Sequence, residues 1–244
     1  MDTVLEVSNL SKKYDDFRLD KVSFKIKKGH IVGFIGTNGS GKSTTIKSIL
    51  SLIKSDNDKI EFFGKKLSKD TKNRLAVVLD DGYFYETLKL EEMKKIVAAS
   101  YSNWDEDKYK KLILKFKLNN NQKLKTLSKG MKMKFSIALA LAHNAELIIM
   151  DEPTSGLDPL VRAQLMDFLK EIVAKEKCSI FFSTHIISDL EKVADDIIFI
   201  NNGKIIFEDT KKNIEEKYRK ILKNENAGIE DIMLYQVKGE WNED

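Results

Sequence analysis

Residues 36–44 read Gly-Thr-Asn-Gly-Ser-Gly-Lys-Ser-Thr, and glycine, lysine and hydroxyl side chains at this spacing suit one chemistry, the binding of phosphate. Glycines let consecutive backbone N–H groups turn inward around an anion, where side chains would obstruct them. A helix expected from Lys42 to Leu52 aims its positive end at the same anion. Lys42 is placed to reach the β- and γ-phosphates of a nucleotide, and the Ser43 hydroxyl to ligate Mg²⁺. The expected cradle is Asn38, Gly39, Ser40, Gly41, Lys42, Ser43 and Thr44.

The elements that position these groups are legible in outline. VLEVSNL and LDKVSFKI alternate as half-buried strands do, and the apolar run IVGFIG leads straight into the glycine loop. KIEFF and LAVVLD read as further strands. From about Lys89 the spacing becomes helical, with Asp105 as an N-cap and a third helix starting near Ser128. Then come strand LIIMD, a helix from Pro159 to Ala174, strand SIFFST, a helix from Ile187 to Val193, and the hairpin DIIFI-NNG-KIIFE. This order predicts a layered α/β fold: N-terminal antiparallel strands, an α/β core over 1–85 and 147–220, an inserted helical lobe over 86–146 and a short tail over 221–244, in one domain.

Bulk composition narrows the function classes. The 244 residues suffice for a full core, and no apolar stretch approaches the roughly 18 residues of a membrane helix. No secretory signal is expected from MDTVLEVSNL. Cys178 is the only cysteine, which excludes an internal disulfide or multi-cysteine zinc site and reads as a small buried residue. Basic and acidic residues nearly balance, 42 against 38, and only Arg18, Arg74, Arg162 and Arg219 are arginine; that balance argues against a nucleic-acid partner.

The glycine loop matches the P-loop pattern, and Leu147 to Glu152 supplies its natural complement, an apolar strand ending in two carboxylates. In P-loop proteins that strand brings the acids to the metal: Asp151 would hold Mg²⁺, and Glu152 would orient and deprotonate the attacking water. Around this pair the chain resembles the ATP-binding subunits of ABC transporters. Leu127-Ser128-Lys129-Gly130-Met131 resembles the family's signature motif, Ser155-Gly156-Leu157-Asp158 its D-loop, and Ser183-Thr184-His185 its switch-histidine motif. Tyr14 matches the aromatic that stacks on adenine. His30 and His143 have no such setting and read as structural or surface residues.

The resemblance implies a P-loop NTPase core of the ABC type that binds ATP and Mg²⁺ and hydrolyses ATP. His185 would contact the γ-phosphate and hold Glu152. Ser128 and Gly130 would contact the γ-phosphate bound by a second ATPase subunit in a head-to-tail pair, with Asp158 crossing between the two sites. The expected partner is a separate integral membrane permease, and the expected location is the cytoplasmic face of the membrane. Lys129 and Met131 replace a glycine and a glutamine of the motif. Where the family usually has a metal-contacting glutamine this chain has Asp80, either a substitute metal ligand or a solvated loop acid. Tyr83, Phe84, Tyr85, Tyr101 and Trp104 lie where the family docks its permease, and about half of them are expected in the core. The stretch from Gly228 resembles the tail of exporter ATPases, so export is favoured over import. Repair-type relatives carry coiled coils and ribosomal ones pair two ATPase units, neither of which is read here; a module that binds ATP without hydrolysing it would not need both Glu152 and His185.

Overall fold

The computed structural model describes residues 2–79 and 84–241. In chain order the elements are β1 (Thr3–Lys13), β2 (Arg18–Lys27), β3 (Ile31–Ile35), α1 (Lys42–Ile49), β4 (Lys59–Phe62), α2 (Lys69–Asn73), β5 (Leu75–Val78), α3 (Leu90–Ala98), α4 (Glu106–Lys115) and α5 (Lys129–Ala142). There follow β6 (Leu147–Asp151), α6 (Pro159–Glu176), β7 (Ser179–Thr184), α7 (Ile187–Val193), β8 (Asp196–Asn201), β9 (Lys204–Thr210), α8 (Lys211–Leu222) and α9 (Ile229–Trp241).

Six strands form the main sheet in the order β5-β6-β7-β3-β8-β9. The first five run parallel, and β9 returns antiparallel from β8. A second, antiparallel sheet, β2-β1-β4, covers one face of the first. Strand β3 shows why its sequence is apolar throughout. Ile31 and Ile35 enter the core under the helices, while Val32 and Phe34 enter the core shared with the antiparallel sheet. A central strand buried on both faces has no polar side to show. Phe24, Phe34 and Phe181 pack as a triangle with centroids 5.4–5.9 Å apart, joining the two sheets. Fully burying each such ring contributes about 1.5–3 kcal/mol.

Helices α3, α4 and α5 hold a core of their own, centred on Leu90, Tyr109, Leu124 and Phe135. Asp105 caps α4 by accepting the Lys108 N–H at 2.8 Å, as its position ahead of the helical run predicts. Helix α5 belongs to both cores: Phe135, Ala138 and Ala142 face the lobe, and Ile137, Ala140 and Leu141 face the main sheet. Its apolar run is therefore buried on two sides and crosses nothing. No helix among the described residues is long and apolar enough to span a membrane.

One expectation needs correction. Helix α1 ends at Ile49 rather than Leu52, because Ser51 turns left-handed with φ +56°. The C-terminal stretch contains α9, whose Ile229, Ile232 and Met233 enter the main core.

Candidate functional site

Three chain segments leave the C-terminal ends of neighbouring parallel strands and meet there: the glycine loop after β3, Glu152 after β6 and His185 after β7. Ligands of open α/β sheets bind at such strand ends. A cavity of about 630 Å³ opens at this point. Its floor is Asn38, Gly39, Gly41, Lys42, Ser43 and Thr44; Glu152, Ser155 and His185 form one wall and Tyr14, Asp16 and Phe17 the other.

The loop is built for an anion. Gly41 takes φ +112°, and a Cβ there would meet Leu19 at 2.6 Å and Phe17 at 2.9 Å, so only glycine fits. No side chain caps α1, and no acidic residue lies in its first turn. Its free N–H groups and positive dipole end are left to an external ligand. Lys42 is buried, and its Nζ donates to the carbonyls of Gly36 at 2.8 Å and Thr37 at 3.1 Å. It also lies 3.4 Å from Oε1 of Glu152. The other carboxylate oxygen of Glu152 is 2.9 Å from Nδ1 of His185, within hydrogen-bond distance. Glu152 thus bridges Lys42 and His185 at the cavity.

Asp151 is buried with its Oδ1 accepting the Ser183 hydroxyl at 2.5 Å. Among the described residues no cationic side chain pairs with it. A buried carboxylate without a counter-charge is costly; Asp151 is not among the residues that line the cavity, but its carboxylate and the Ser43 hydroxyl are hard oxygen donors of the kind Mg²⁺ takes. That ion is held by one or two protein ligands plus phosphates and water. No cluster of three or more metal-binding side chains occurs among the described residues, and such an ion needs none. Asp80 lies outside the described residues.

The other singled-out residues sit elsewhere. Ser128 caps α5, its Oγ accepting the Met131 N–H at 3.3 Å, and neither it nor Gly130 lines the cavity. Gly130 has a local reason to be glycine: a Cβ there would meet Val161 of α6 at 2.7 Å. Met131 packs into the lobe core, which accounts for an apolar residue at that place. Asp158 caps α6, its Oδ1 accepting from Leu160 N–H at 3.1 Å and Val161 N–H at 3.0 Å. Tyr14, 45% exposed at the cavity's rim, has the Lys12 ammonium 5.2 Å from its ring centroid.

Of the aromatics, Phe84 packs on Phe135, and Trp104 packs on Tyr109 while donating to Glu106 at 2.9 Å. Tyr85 is exposed, and Tyr83 lies outside the described residues. Tyr101 stacks on His143 with centroids 3.7 Å apart, and the pair lines a groove of about 160 Å³ between β5, α3 and α5. Burial pushes the His143 imidazole below its ordinary range.

Two features have no counterpart in the motif reading. Ser183 bonds both acids of the strand end, since it also accepts the Glu152 N–H at 2.9 Å. Asp189, buried in α7, accepts from Thr154 Oγ1 at 2.6 Å and Arg162 Nε at 2.5 Å, and Arg162 donates on to Ser188 at 2.6 Å. This network ties the turn after Glu152 to the helices on either side of it.

Comparison with known proteins agrees with this geometry. The family model described as "ABC transporter" matches residues 19–155. The bacitracin transport ATP-binding protein BcrA of Bacillus licheniformis is 32% identical over 91% of this chain and 74% of its own. The lantibiotic transport ATP-binding protein SrtF of Streptococcus pyogenes is 34% identical over 88% of this chain and 96% of its own. A solved structure of an ATP-binding subunit of an ABC transporter superposes with a TM-score of 0.84 at 31% identity, over 96% of this chain and all of that one. The chain belongs to the ABC transporter family, as an ATP-binding and ATP-hydrolysing subunit.

Proposed function

We propose that the chain hydrolyses ATP between its glycine loop and Glu152, as half of a head-to-tail pair that powers export through a separate permease. The observation that carries this reading is the division of the chemistry. Lys42, Glu152 and His185 line one cavity, while Ser128 and Gly130 lie outside it on another part of the same chain.

In this reading Tyr14 stacks on adenine and the loop N–H groups from Asn38 to Thr44 surround the phosphates. The Lys42 ammonium exchanges its loop carbonyls for phosphate oxygens. Ser43 and Asp151 would hold Mg²⁺, which when bound would supply positive charge to the phosphate oxygens. Glu152 takes the proton of the water that attacks the γ-phosphorus, and ADP and phosphate leave. His185 keeps Glu152 and the γ-phosphate in register. Ser128 and Gly130 of the second subunit close over the γ-phosphate with a hydroxyl and a helix N-terminus, and Asp158 lies at the seam. Loss of that phosphate opens the pair, a ligand-driven shift between two states.

The core and lobe act as one domain in this scheme, held at the inner face of the membrane by the permease. Tyr101, together with exposed Leu52 and Val77, makes an apolar surface suited to a permease loop. The relatives named for bacitracin and lantibiotic transport support a peptide antimicrobial as cargo.

Tagged Glu152→Gln protein with Mg-ATP, recovered from detergent-solubilised native membranes, tests the assembly. Co-purification of a multi-span membrane protein is expected. Recovery of soluble partners, DNA or ribosomes alone would contradict the transport reading and leave ATP hydrolysis standing.

A further inference from the structure

Ser183 is fully buried in β7, directly opposite Asp151 in the parallel register with β6. Its hydroxyl donates to Oδ1 of Asp151 at 2.5 Å and accepts the backbone N–H of Glu152 at 2.9 Å. One hydroxyl therefore holds the side chain of one acid and the backbone of the next.

Strand geometry makes this double contact matter. Successive side chains of a strand point to opposite faces. In β6, Leu147 and Ile149 enter the core shared with α1, while Ile148 and Met150 enter the core under α6 and α7. Continued alternation would send Asp151 toward the glycine loop and Glu152 away from it. Instead Glu152 leaves the strand with φ +49°, in the left-handed region that non-glycine residues rarely adopt. The turn brings its carboxylate to 3.4 Å from Lys42. At the head of this turn the Glu152 N–H donates to the Ser183 hydroxyl.

From this geometry we infer that Ser183 is a positioning residue for ATP hydrolysis. It fixes the Asp151 carboxylate toward Mg²⁺ and braces the left-handed turn at Glu152, so that two consecutive acids serve one site. The inference rests on the roles proposed above for Asp151 and Glu152. A hydroxyl offers one donor and two acceptor lone pairs, so it can fill both contacts. Alanine fills neither. Threonine fills both and suits a strand.

The test compares Ser183→Ala, Ser183→Thr and Glu152→Gln in the full chain. It measures ATP turnover, equilibrium ATP binding with Mg²⁺ and with EDTA, and thermal unfolding. Ser183→Ala should lower turnover roughly 10- to 100-fold and shrink the Mg²⁺-dependent gain in ATP affinity, with affinity in EDTA unchanged to about twofold. Ser183→Thr should restore most of both. Wild-type turnover and Mg²⁺ dependence in Ser183→Ala, beside an inactive Glu152→Gln, would overturn the role of Ser183 alone. Equal loss of ATP affinity with and without Mg²⁺, accompanied by a lower melting temperature and unrepaired by threonine, would reduce Ser183 to a packing residue. An active Glu152→Gln would overturn the site assignment underneath it.

Discussion

Glu152 and His185 meet at 2.9 Å across the ends of two adjacent parallel strands, although 33 residues separate them in the chain. The contact uses Oε2 of Glu152, and Oε1 faces the Lys42 ammonium 3.4 Å away. The proposed base is thereby held between Lys42, proposed to reach the phosphates, and His185, proposed to follow the γ-phosphate. Because Lys42 already touches two carbonyls and a carboxylate, ATP must compete for it.

Lys42→Ala removes the ammonium that, among the described residues lining the cavity, is proposed to bond phosphate oxygens. Charge-assisted bonds of this kind contribute about 1.5–3 kcal/mol each, so ATP affinity measured by calorimetry should fall roughly 10- to 100-fold. An unchanged dissociation constant would show that the loop backbone binds the phosphates without it.

Tyr14 offers a ring rather than a hydroxyl to the cavity. Tyr14→Ala should weaken ATP binding by about 1–3 kcal/mol, the usual contribution of base–aromatic stacking, whereas Tyr14→Phe should bind as wild type. Equal affinity of all three proteins for a fluorescent ATP analogue would place the base elsewhere.

Asp189 is buried and satisfies both Thr154 and Arg162. Asp189→Ala leaves a charged donor and a hydroxyl without their acceptor and should destabilise the fold by about 2–4 kcal/mol in urea titration. A loss under about 0.5 kcal/mol would mean that water replaces the carboxylate at no cost.

Burial pushes the Cys178 thiol up to about 12, with the nearby Glu176 carboxylate raising it further in the same direction. The thiolate is the reactive form, and an exposed cysteine ionises near 8.5. Iodoacetamide at pH 8 should therefore leave Cys178 unmodified in the folded chain and label it on denaturation, as intact mass would record. Rapid labelling of the native protein would show that this strand end opens.

The glycine loop was legible because its chemistry depends on local spacing, and the paired acids were legible as a strand end. What spacing could not convey was the turn between those acids. Alternation alone sends Asp151 and Glu152 to opposite faces, and their convergence depends on Ser183 from a strand 32 residues away. The Thr154–Asp189–Arg162 network escaped for the same reason, since no periodicity links residues 27 to 35 apart. Tyr101 was singled out as an aromatic, but its stack on His143 depends on how α5 packs against the segment after α3. Helix ends failed on backbone terms: nothing in the pattern signalled the left-handed Ser51 that ends α1. Asp105 was legible as a cap, and Ser128 as a helix start, because both signals are local.

In the proposed site Glu152 is the base for ATP hydrolysis, and the groups that bind ATP are separate from it. Glu152→Gln keeps the size of the side chain, removes the proton acceptor and abolishes the ion pair that competes for Lys42. Turnover should fall by roughly 10²–10⁴-fold, the span of a general base, with ATP binding as tight as wild type or tighter. Turnover near wild type in a variant that binds ATP normally would contradict that role for Glu152.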